Sequence, residues 1–402
     1  MTPCRDALDV LYVGDLPPYR TGTAIVGVQL LSGLAKLGHS VRALAPITTQ
    51  ALGAGNQFAA RHPEIGVARF PVPSLDDLPS DVHLTADGWS AECDGIAAGF
   101  RVLIAGARPN VVIVGKERYL WSTPDLTKAS GLPSVLLVQS TRPLRILNRS
   151  PARATAQAML AQYRKVDGIV FVAAHLAEPA RRLGLRNLKV ILNGVDLQRF
   201  SARPKDATLL RHLHIRDDRV IVVHVSNLKE VKRPLDIVGS AGQVLRRDPE
   251  IVYVIVGDGP CRATMEERCR RKGILESFRF VGWAEHERIP AYLNLADIVV
   301  MPSEDEALAL VYLEAQACGR LLLASDIPAA REVVRDGQTG LLFGKGDVDE
   351  LAAQTLRAAG DADLRAATGR RAREWVRIHH DLDRTVTAHE HALREAARRP
   401  RH

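Results

Sequence analysis

Apolar runs of strand length alternate with amphipathic stretches along most of the chain. In the first half the runs LYVGD, SVRALAP, NVVIVG, SVLLVQS, GIVFVAA and KVILNG are separated by longer segments, of which AIVGVQLLSGLAKLG is the clearest helix candidate. Short, nearly continuous apolar runs of this kind are typical of parallel strands that are covered on both faces. The alternation therefore predicts an open parallel sheet with crossover helices.

The same alternation restarts after a polar stretch, residues 195–218. The later runs are RVIVVHVS, IVYVIVGDG, FRFVGW, IVVMPS, RLLLAS and GLLFG, and they predict a second parallel sheet that begins near Arg219. From Ala362 onward the pattern is helical, with a break expected at HHDLD. We therefore expect two Rossmann-like, doubly wound α/β domains: residues 1–200 with a returning C-terminal helix at 382–402, and residues 201–381.

Ligands of open parallel sheets bind beyond the carboxyl ends of the strands. Two such sheets that face each other would form a cleft, and we expect the functional site there. The boundary between the domains should act as one hinge and the returning helix as another. The segment NGVDLQRF, residues 193–200, lies at the first of these hinges, and we expect a structural role for it.

Composition narrows the class of protein. The chain has 402 residues, 46% of them hydrophobic, which is enough for two cores. Its net charge of +8 suits an anionic ligand, whereas an aromatic content of 5% argues against nucleic-acid binding. The five cysteines show no CxxC pairing, so no disulfide framework or thiolate zinc site is indicated. Without a long apolar run or a secretory signal, we expect a cytoplasmic protein.

The strongest chemical signal is PSEDEALALVYLEAQACG, residues 302–319. A strand ends in a polar loop, and a helix is expected to begin near Ala309. Glu306 precedes this helix and Glu314 lies one to two turns inside it, so both carboxylates can accept hydrogen bonds from hydroxyl groups of one bound molecule. The amides of Ala307, Leu308 and Ala309, at the expected helix start, favour an anion or a sugar oxygen nearby.

Two further loops carry groups suited to a diphosphate. In SNLKEVKRPLD, residues 226–236, polar and basic side chains gather where the first strand of the second domain meets its helix. In GDLPPYRTGT, residues 14–23, Gly22 allows close backbone approach, and Thr23 can cap the following helix while donating a hydrogen bond. At the turn FVGW, Gly282 and Trp283 are candidate nucleoside contacts, although packing explains Trp283 equally well.

Taken together, these motifs resemble the retaining family-4 glycosyltransferases of the GT-B fold. The E-x7-E spacing after PS, followed by LEA and glycine, matches the donor signature of that family, and SN followed by VKR is nearest to the bacillithiol and mycothiol type. The resemblance implies that Glu306 holds the transferred sugar, Glu314 the ribose, and Lys232 with Gly22 the diphosphate. The donor-site candidates are Gly22, Thr23, Asn227, Lys229, Lys232, Arg233, Gly282, Trp283, Glu306, Ala307, Leu308, Ala309, Leu310 and Glu314.

The chain departs from the family where a histidine commonly ends the strand that here reads SVLLVQS. Gln139 stands at that place, and with Glu306 and Lys232 it completes the candidate catalytic set. Glutamine forms hydrogen bonds but does not titrate near neutrality. One hypothesis is therefore an acceptor that loses its proton easily, such as a thiol. The acceptor-binding candidates are Thr141, Arg142, Arg153, Lys116 and Tyr119.

The resemblance implies transfer of a sugar from a UDP- or GDP-sugar to a small polar acceptor, anionic or thiol-bearing, in a biosynthetic pathway. It implies no cofactor beyond this co-substrate and no metal, since lysines and helix dipoles neutralise the diphosphate. We expect no nucleic-acid partner and no membrane contact, and leave a homodimer open. The alternatives are a lipid or polysaccharide acceptor, a nucleotide-sugar epimerase on the same fold, and an inactive binding module.

Overall fold

The computed structural model describes residues 7–72, 90–141, 147 and 154–399, and these form two compact units. The first unit comprises residues 1–193 and 383–402, and the second comprises residues 194–382. The strands of the first unit are β1 (Asp9–Val13), β2 (Ser40–Ile47), β3 (Gly66–Pro71), β4 (Val111–Val114), β5 (Ser134–Val138), β6 (Gly168–Phe171) and β7 (Leu188–Val190). They pair in parallel in the order β3-β2-β1-β4-β5-β6-β7.

Helices connect these strands as the alternation predicted. They are α1 (Gly22–Lys36), α2 (Leu52–Arg61), α3 (Ser90–Gly106), α4 (Thr123–Ala129), α5 (Ala154–Tyr163) and α6 (Ala174–Arg182). The central strands β1, β4 and β5 are almost wholly buried, because helices cover both faces of a parallel sheet. The described residues of the segment 48–108 contribute α2, β3 and α3.

The second unit repeats this plan with a sheet that begins at Ile221, close to the predicted start. Its strands are β8 (Ile221–Val225), β9 (Val252–Val256), β10 (Phe278–Gly282), β11 (Ile298–Met301), β12 (Leu321–Ser325) and β13 (Leu341–Phe343), in the parallel order β10-β9-β8-β11-β12-β13. Its helices are α7 (Ala207–His212), α8 (Pro234–Arg247), α9 (Arg262–Arg271), α10 (Ile289–Leu295), α11 (Leu310–Ala317), α12 (Pro328–Val333), α13 (Val348–Gly360) and α14 (Ala362–His379).

The final helix, α15 (Leu382–Arg398), follows a break at the predicted HHDLD segment and packs within the first unit. Val386 fills the space beside Gly33 of α1, and Lys189 Nζ lies 2.6 Å from Glu395 Oε2. The first unit ends earlier than the predicted residue 200, after Asn193. The reason is local pairing in the second unit, where the Val195 amide donates to the carbonyl of His380 at 2.8 Å.

The order of strands reverses once in each sheet, between β1 and β4 and between β8 and β11. Loops that leave the carboxyl ends of such strand pairs diverge and create a binding crevice. The predicted diphosphate loops follow β1 and β8, and the paired-glutamate motif follows β11. The topology therefore brings the candidate chemistry of each unit to the edge where parallel sheets bind ligands.

Across the described ranges, no helix is both long enough and apolar enough to cross a bilayer.

Candidate functional site

The loop after β8 forms one wall of the site in the second unit. A short 3-10 turn, Glu230–Lys232, is followed by Arg233, whose φ of 48° places it in the left-handed region. Pro234 then opens α8 at a position where its missing N–H costs nothing. The Arg233 guanidinium bonds Asp236 through Nε at 2.6 Å, so part of its charge is already balanced. Lys232, directly before Arg233, reaches Glu306 in the loop that follows β11.

Lys232 and Glu306, predicted separately, are in direct contact. Lys232 Nζ donates to Glu306 Oε1 at 2.6 Å, and the buried Ser303 hydroxyl donates to the same oxygen at 2.8 Å. The Lys232 side chain is 20% exposed and that of Glu306 is 9% exposed. The two loops are also joined through the backbone, because the Glu304 amide donates to the Val231 carbonyl at 2.8 Å. A carboxylate and an ammonium group therefore share one pre-formed corner.

Helix α11 begins one residue later than expected. Ala309 is its N-cap, with extended dihedral angles, and Leu310 is the first helical residue. The predicted amides of Ala307, Leu308 and Ala309 lie directly before the helix, where backbone N–H groups lack intrahelical acceptors. A nearby negative charge or sugar oxygen would be favoured at this place.

Glu314, in the second turn of α11, is held by a histidine that the sequence did not single out. His286 Nε2 lies 2.6 Å from Glu314 Oε1, and the two side chains are 14% and 6% exposed. Phe200 packs its ring against the His286 imidazole at 5.3 Å between centroids. Phe200 belongs to NGVDLQRF, whose expected structural role thus includes supporting this pair. No spacing rule links these positions, so sequence reasoning had no signal for the contact.

His224, a second histidine that the sequence motifs did not identify, is buried near the end of β8. Its Nδ1 is 2.8 Å from the Val300 carbonyl and its Nε2 is 2.7 Å from Ser226 Oγ. Burial lowers the pKa of His224 to about 4, so the ring is neutral at physiological pH. The neutral ring must donate a hydrogen bond from Nδ1 to the carbonyl and accept one from the Ser226 hydroxyl at Nε2. Ser226 is thereby fixed at the entrance of the diphosphate loop.

Glycines with unusual backbone angles join the loops after β8, β9 and β10. Gly257 (φ 126°) and Gly259 (φ 154°) follow β9, and a Cβ on Gly259 would lie 2.6 Å from the Asn227 carbonyl oxygen. The Gly257 amide donates to the Gly282 carbonyl at 2.7 Å. Gly282 itself has a φ of 80°, and the adjacent Trp283 side chain is 36% exposed. The candidate nucleoside contacts therefore lie beside the diphosphate loop.

Asn227 lies on the loop that follows β8. Its Oδ1 is buried and accepts no hydrogen bond from any residue that the structure describes. Lys229 lies two positions further on, immediately before the 3-10 turn. Asn227, Lys229, Lys232 and Arg233 all lie in the segment between β8 and α8.

The phosphate loop of the first unit differs from expectation in one detail. Thr21, rather than Thr23, is the N-cap of α1: its Oγ accepts from the Ala24 amide at 3.3 Å. Thr23 is already helical, and its hydroxyl lies 2.9 Å from that of Thr21. The cap moves to Thr21 because the helix starts at Gly22 itself. A Cβ added to Gly22 would meet no atom of the described residues within 4 Å, so this part of the chain leaves the space beside the Gly22 backbone open.

The catalytic candidate Gln139 and the described acceptor candidates of the first unit fall into two groups. Gln139 Nε2 donates to the Gly115 carbonyl at 3.1 Å, which joins the ends of β4 and β5, and Thr141 is half-buried just beyond. Arg142 and Arg153 lie outside the described residues. Lys116 Nζ is 3.5 Å from the buried Asp15 carboxylate. Tyr119 is fully buried and its hydroxyl donates to Asp15, so this side chain supports the site from below rather than at its surface.

Glu117 directly follows Lys116 in the chain and is 3% exposed. Burial raises the pKa of its carboxyl group to about 7, against the opposing effect of nearby amides and Lys116. Neither of its carboxylate oxygens accepts a hydrogen bond of good geometry from the part of the chain that the structure describes. A carboxyl group that titrates near neutrality therefore lies beside Gln139, at the place where the family commonly has a histidine.

Comparisons with known proteins identify the family to which the chain is similar. The family model "Glycosyl transferases group 1" matches residues 206–375, and "Glycosyl transferase 4-like domain" matches residues 21–196. A 2-deoxystreptamine N-acetyl-D-glucosaminyltransferase of Streptomyces fradiae is 28% identical over 312 residues, 74% of this chain and 72% of that protein. A D-inositol 3-phosphate glycosyltransferase of Geodermatophilus obscurus is 30% identical over 296 residues, 69% of this chain and 63% of that protein.

Solved structures share the fold at low sequence identity. Anabaena HepE, crystallised in complex with UDP and glucose, has a TM-score of 0.78 and 18% identity over 96% of this chain and 100% of that chain. The likeness confirms the fold class expected from the sequence, two Rossmann-like parallel-sheet units of the GT-B type.

Proposed function

Because the chain belongs to the glycosyl transferases group 1 family and is a glycosyltransferase, we propose that it moves a sugar from a UDP- or GDP-sugar to a small polar acceptor. Transfer would retain the configuration at the anomeric carbon. The observation that carries the proposal is the contact between Lys232 and Glu306. The donor is the better supported half of the reaction, and the acceptor rests on fewer observations.

The geometry of a nucleotide sugar explains why these two side chains touch. In the donor, the sugar is bonded directly to the diphosphate, so the group that holds the sugar and the group that neutralises the diphosphate must be neighbours. Glu306 and Lys232 are neighbours at 2.6 Å. The ammonium group has two further N–H donors for phosphate oxygens, and the described residues bond Glu306 only through Oε1, which leaves Oε2 for sugar hydroxyls.

We propose that the diphosphate is bound without a metal ion. Lys232 supplies the positive charge, and the amides before α11 and the start of α1 at Gly22 supply hydrogen-bond donors. Activity is then expected to persist in excess EDTA. Loss of activity that Mg²⁺ restores would contradict this part of the proposal.

The reaction we propose is a front-face substitution. The bond from the anomeric carbon to the diphosphate oxygen breaks while the acceptor heteroatom bonds to the same face of that carbon. The acceptor proton passes to the departing diphosphate, which leaves as a nucleoside diphosphate. Lys232 stabilises the charge that develops on the leaving group. Gln139 forms a hydrogen bond to a sugar hydroxyl and takes no proton.

For the acceptor we propose a small anionic or thiol-bearing molecule bound in the first unit. The candidates Thr141, Lys116, Arg142 and Arg153 offer hydrogen bonds and positive charge, whereas Tyr119 holds Asp15 beneath them. The two curated relatives differ here, since one is named for D-inositol 3-phosphate and the other for 2-deoxystreptamine. Assays with these two acceptors therefore discriminate an anionic from a cationic preference. A preference for 2-deoxystreptamine would overturn the anionic assignment.

The absence of the usual histidine permits a direct test of the thiol hypothesis. With an alcohol acceptor, Gln139→His is expected to raise kcat by about tenfold or more, because a titratable base then assists proton removal. With a thiol acceptor, the same substitution should change little. Equal rates for the parent and the variant with an alcohol would count against the hypothesis.

Binding of the donor is the first experiment. Thermal unfolding is measured with UDP-, GDP- and TDP-sugars, since a ligand that binds the folded state raises the apparent melting temperature. One donor should stabilise the parent protein but not Lys232→Ala or Glu314→Ala. If both variants bind every nucleotide sugar as well as the parent does, the proposed function is wrong. Release of nucleotide that needs no acceptor, together with an isomerised sugar, would instead identify an epimerase.

A further inference from the structure

The carboxylate assigned to the ribose is held in place by a neighbouring imidazole. Glu314 Oε1 lies 2.6 Å from His286 Nε2, a short distance for this type of hydrogen bond. Among the residues that the structure describes, none donates a hydrogen bond to Glu314 Oε2. One carboxylate oxygen is therefore fixed by the protein, and the other is left for a ligand.

The imidazole is itself fixed from two sides. The buried Phe200 ring packs against it, and Arg199 Nη1 lies 3.5 Å from its Nδ1. A guanidinium can only donate, so Nδ1 faces a donor and accepts. In the neutral ring the proton then lies on Nε2, which donates to Glu314. His286 thus reaches Glu314 as a hydrogen-bond donor with its orientation already determined.

We propose that His286 is a positioning residue that orients Glu314 and so determines the preference of the site for a nucleotide with ribose hydroxyls. The inference rests on the proposed function, in which Glu314 accepts hydrogen bonds from the ribose. A glutamate has three side-chain torsions, and ordering them when the ligand binds costs free energy. The hydrogen bond to His286 orders the Glu314 torsions before the ligand binds, so the ribose contacts a carboxylate that already has the required orientation.

The test compares nucleotides with and without the two hydroxyl groups. Calorimetric Kd values are measured for UDP and 2′,3′-dideoxy-UDP, and in parallel for GDP and 2′,3′-dideoxy-GDP. The proteins are the parent, Glu314→Ala, His286→Ala, His286→Gln, and the control Arg288→Ala, an exposed residue on the same turn as His286. The measured quantity is the ratio of the dideoxy Kd to the ribose Kd.

In the parent and in Arg288→Ala we expect a ratio of about ten or more, since a hydrogen bond to a charged group is lost without the hydroxyls. Glu314→Ala and His286→Ala should both bring the ratio close to one, with little change in the dideoxy Kd. His286→Gln retains an N–H donor of similar reach and should restore part of the ratio. A role in packing alone would weaken both ligands equally and leave the ratio unchanged.

The experiment distinguishes the positioning role of His286 from the ribose-binding role of Glu314. If Glu314→Ala loses the ratio but His286→Ala and His286→Gln both keep the parent value, the positioning role is wrong and the donor assignment stands. If Glu314→Ala keeps the parent ratio, the ribose assignment is wrong and the positioning role falls with it. Thermal melting of each variant distinguishes a loss of folding from a loss of preference.

Discussion

Lys232 Nζ lies 2.6 Å from Glu306 Oε1, although the two residues stand on different loops and are separated by 74 positions in the chain. Each was assigned a different part of the donor from the sequence. Their contact places opposite charges in one partly buried corner, where neither is well solvated. Removing one member therefore affects the other.

The first prediction concerns this pair. Lys232→Met leaves the Glu306 carboxylate with Ser303 as its remaining partner among the described residues, so we expect a loss of about 1–3 kcal/mol in the free energy of unfolding. We also expect kcat/KM to fall by about 100-fold, because the developing charge on the diphosphate loses a cation. Urea unfolding and steady-state kinetics measure the two effects.

The double variant Lys232→Met/Glu306→Gln is the control for the first prediction. It removes the unpaired charge, so stability should recover while activity stays low. Equal destabilisation in the single and double variants would show that the 2.6 Å contact does not couple the two side chains.

The second prediction uses the open space beside Gly22. Gly22→Leu fills a volume in which the described residues place no atom within 4 Å of the added Cβ, so we expect folding to be unaffected. If the diphosphate approaches the backbone here, KM for the nucleotide sugar should rise by about tenfold or more. Gly53→Leu is the matched control, because Gly53 also lies in a helix of the first unit with open space beside it. An unchanged KM in Gly22→Leu would remove this loop from the donor site.

The third prediction concerns Glu117, whose pKa is raised to about 7 by burial. The folded protein keeps this proton to a higher pH than the unfolded chain, where the pKa is about 4.3. Its contribution to stability is therefore complete below about pH 4.3 and is lost as the pH rises to about 7. Glu117→Gln should remove this dependence and stabilise the protein at pH 8, relative to the parent, by an amount on the order of 3 kcal/mol.

Urea unfolding at pH 5 and pH 8 tests the Glu117 prediction. Glu178→Gln, which changes an exposed glutamate on α6, serves as the control and should alter stability equally at both pH values. The idea fails if Glu117→Gln and Glu178→Gln give the same pH profile.

The fourth prediction concerns the second unit, where stability is expected to fall as the pH drops and not as it rises. Burial lowers the pKa of His224 to about 4, whereas an unfolded histidine has a pKa of about 6.5. The unfolded chain therefore binds the proton first, and stability falls as the pH drops from about 6.5 to 4, by an amount on the order of 3 kcal/mol. His224→Gln should flatten this part of the profile, whereas His212→Gln, on the surface of α7, should not. Identical profiles for the two variants would contradict the prediction.

Both sheets and the order of the motifs could be predicted from the amino-acid pattern. Parallel strands that are buried on both faces must be apolar along their length. For this reason β1, β4, β8 and β11 can be recognised in the sequence as short apolar runs. The break before α15 was visible for a related reason, since the amphipathic pattern of α14 stops there. The candidate roles of Glu306, Glu314 and Lys232 were predicted from motifs that are local and contiguous, and these roles stay predictions.

Which of these side chains are in contact depends on the tertiary structure and could not be predicted from the sequence. The contacts of Lys232 with Glu306 and of His286 with Glu314 join residues from separate loops, and no local pattern encodes such distances. The burial of Tyr119 beneath the first unit's site is likewise a matter of packing, as its neighbours come from other strands. Propensity and spacing act over a few residues, whereas partner choice depends on how the sheet edges bring distant loops together.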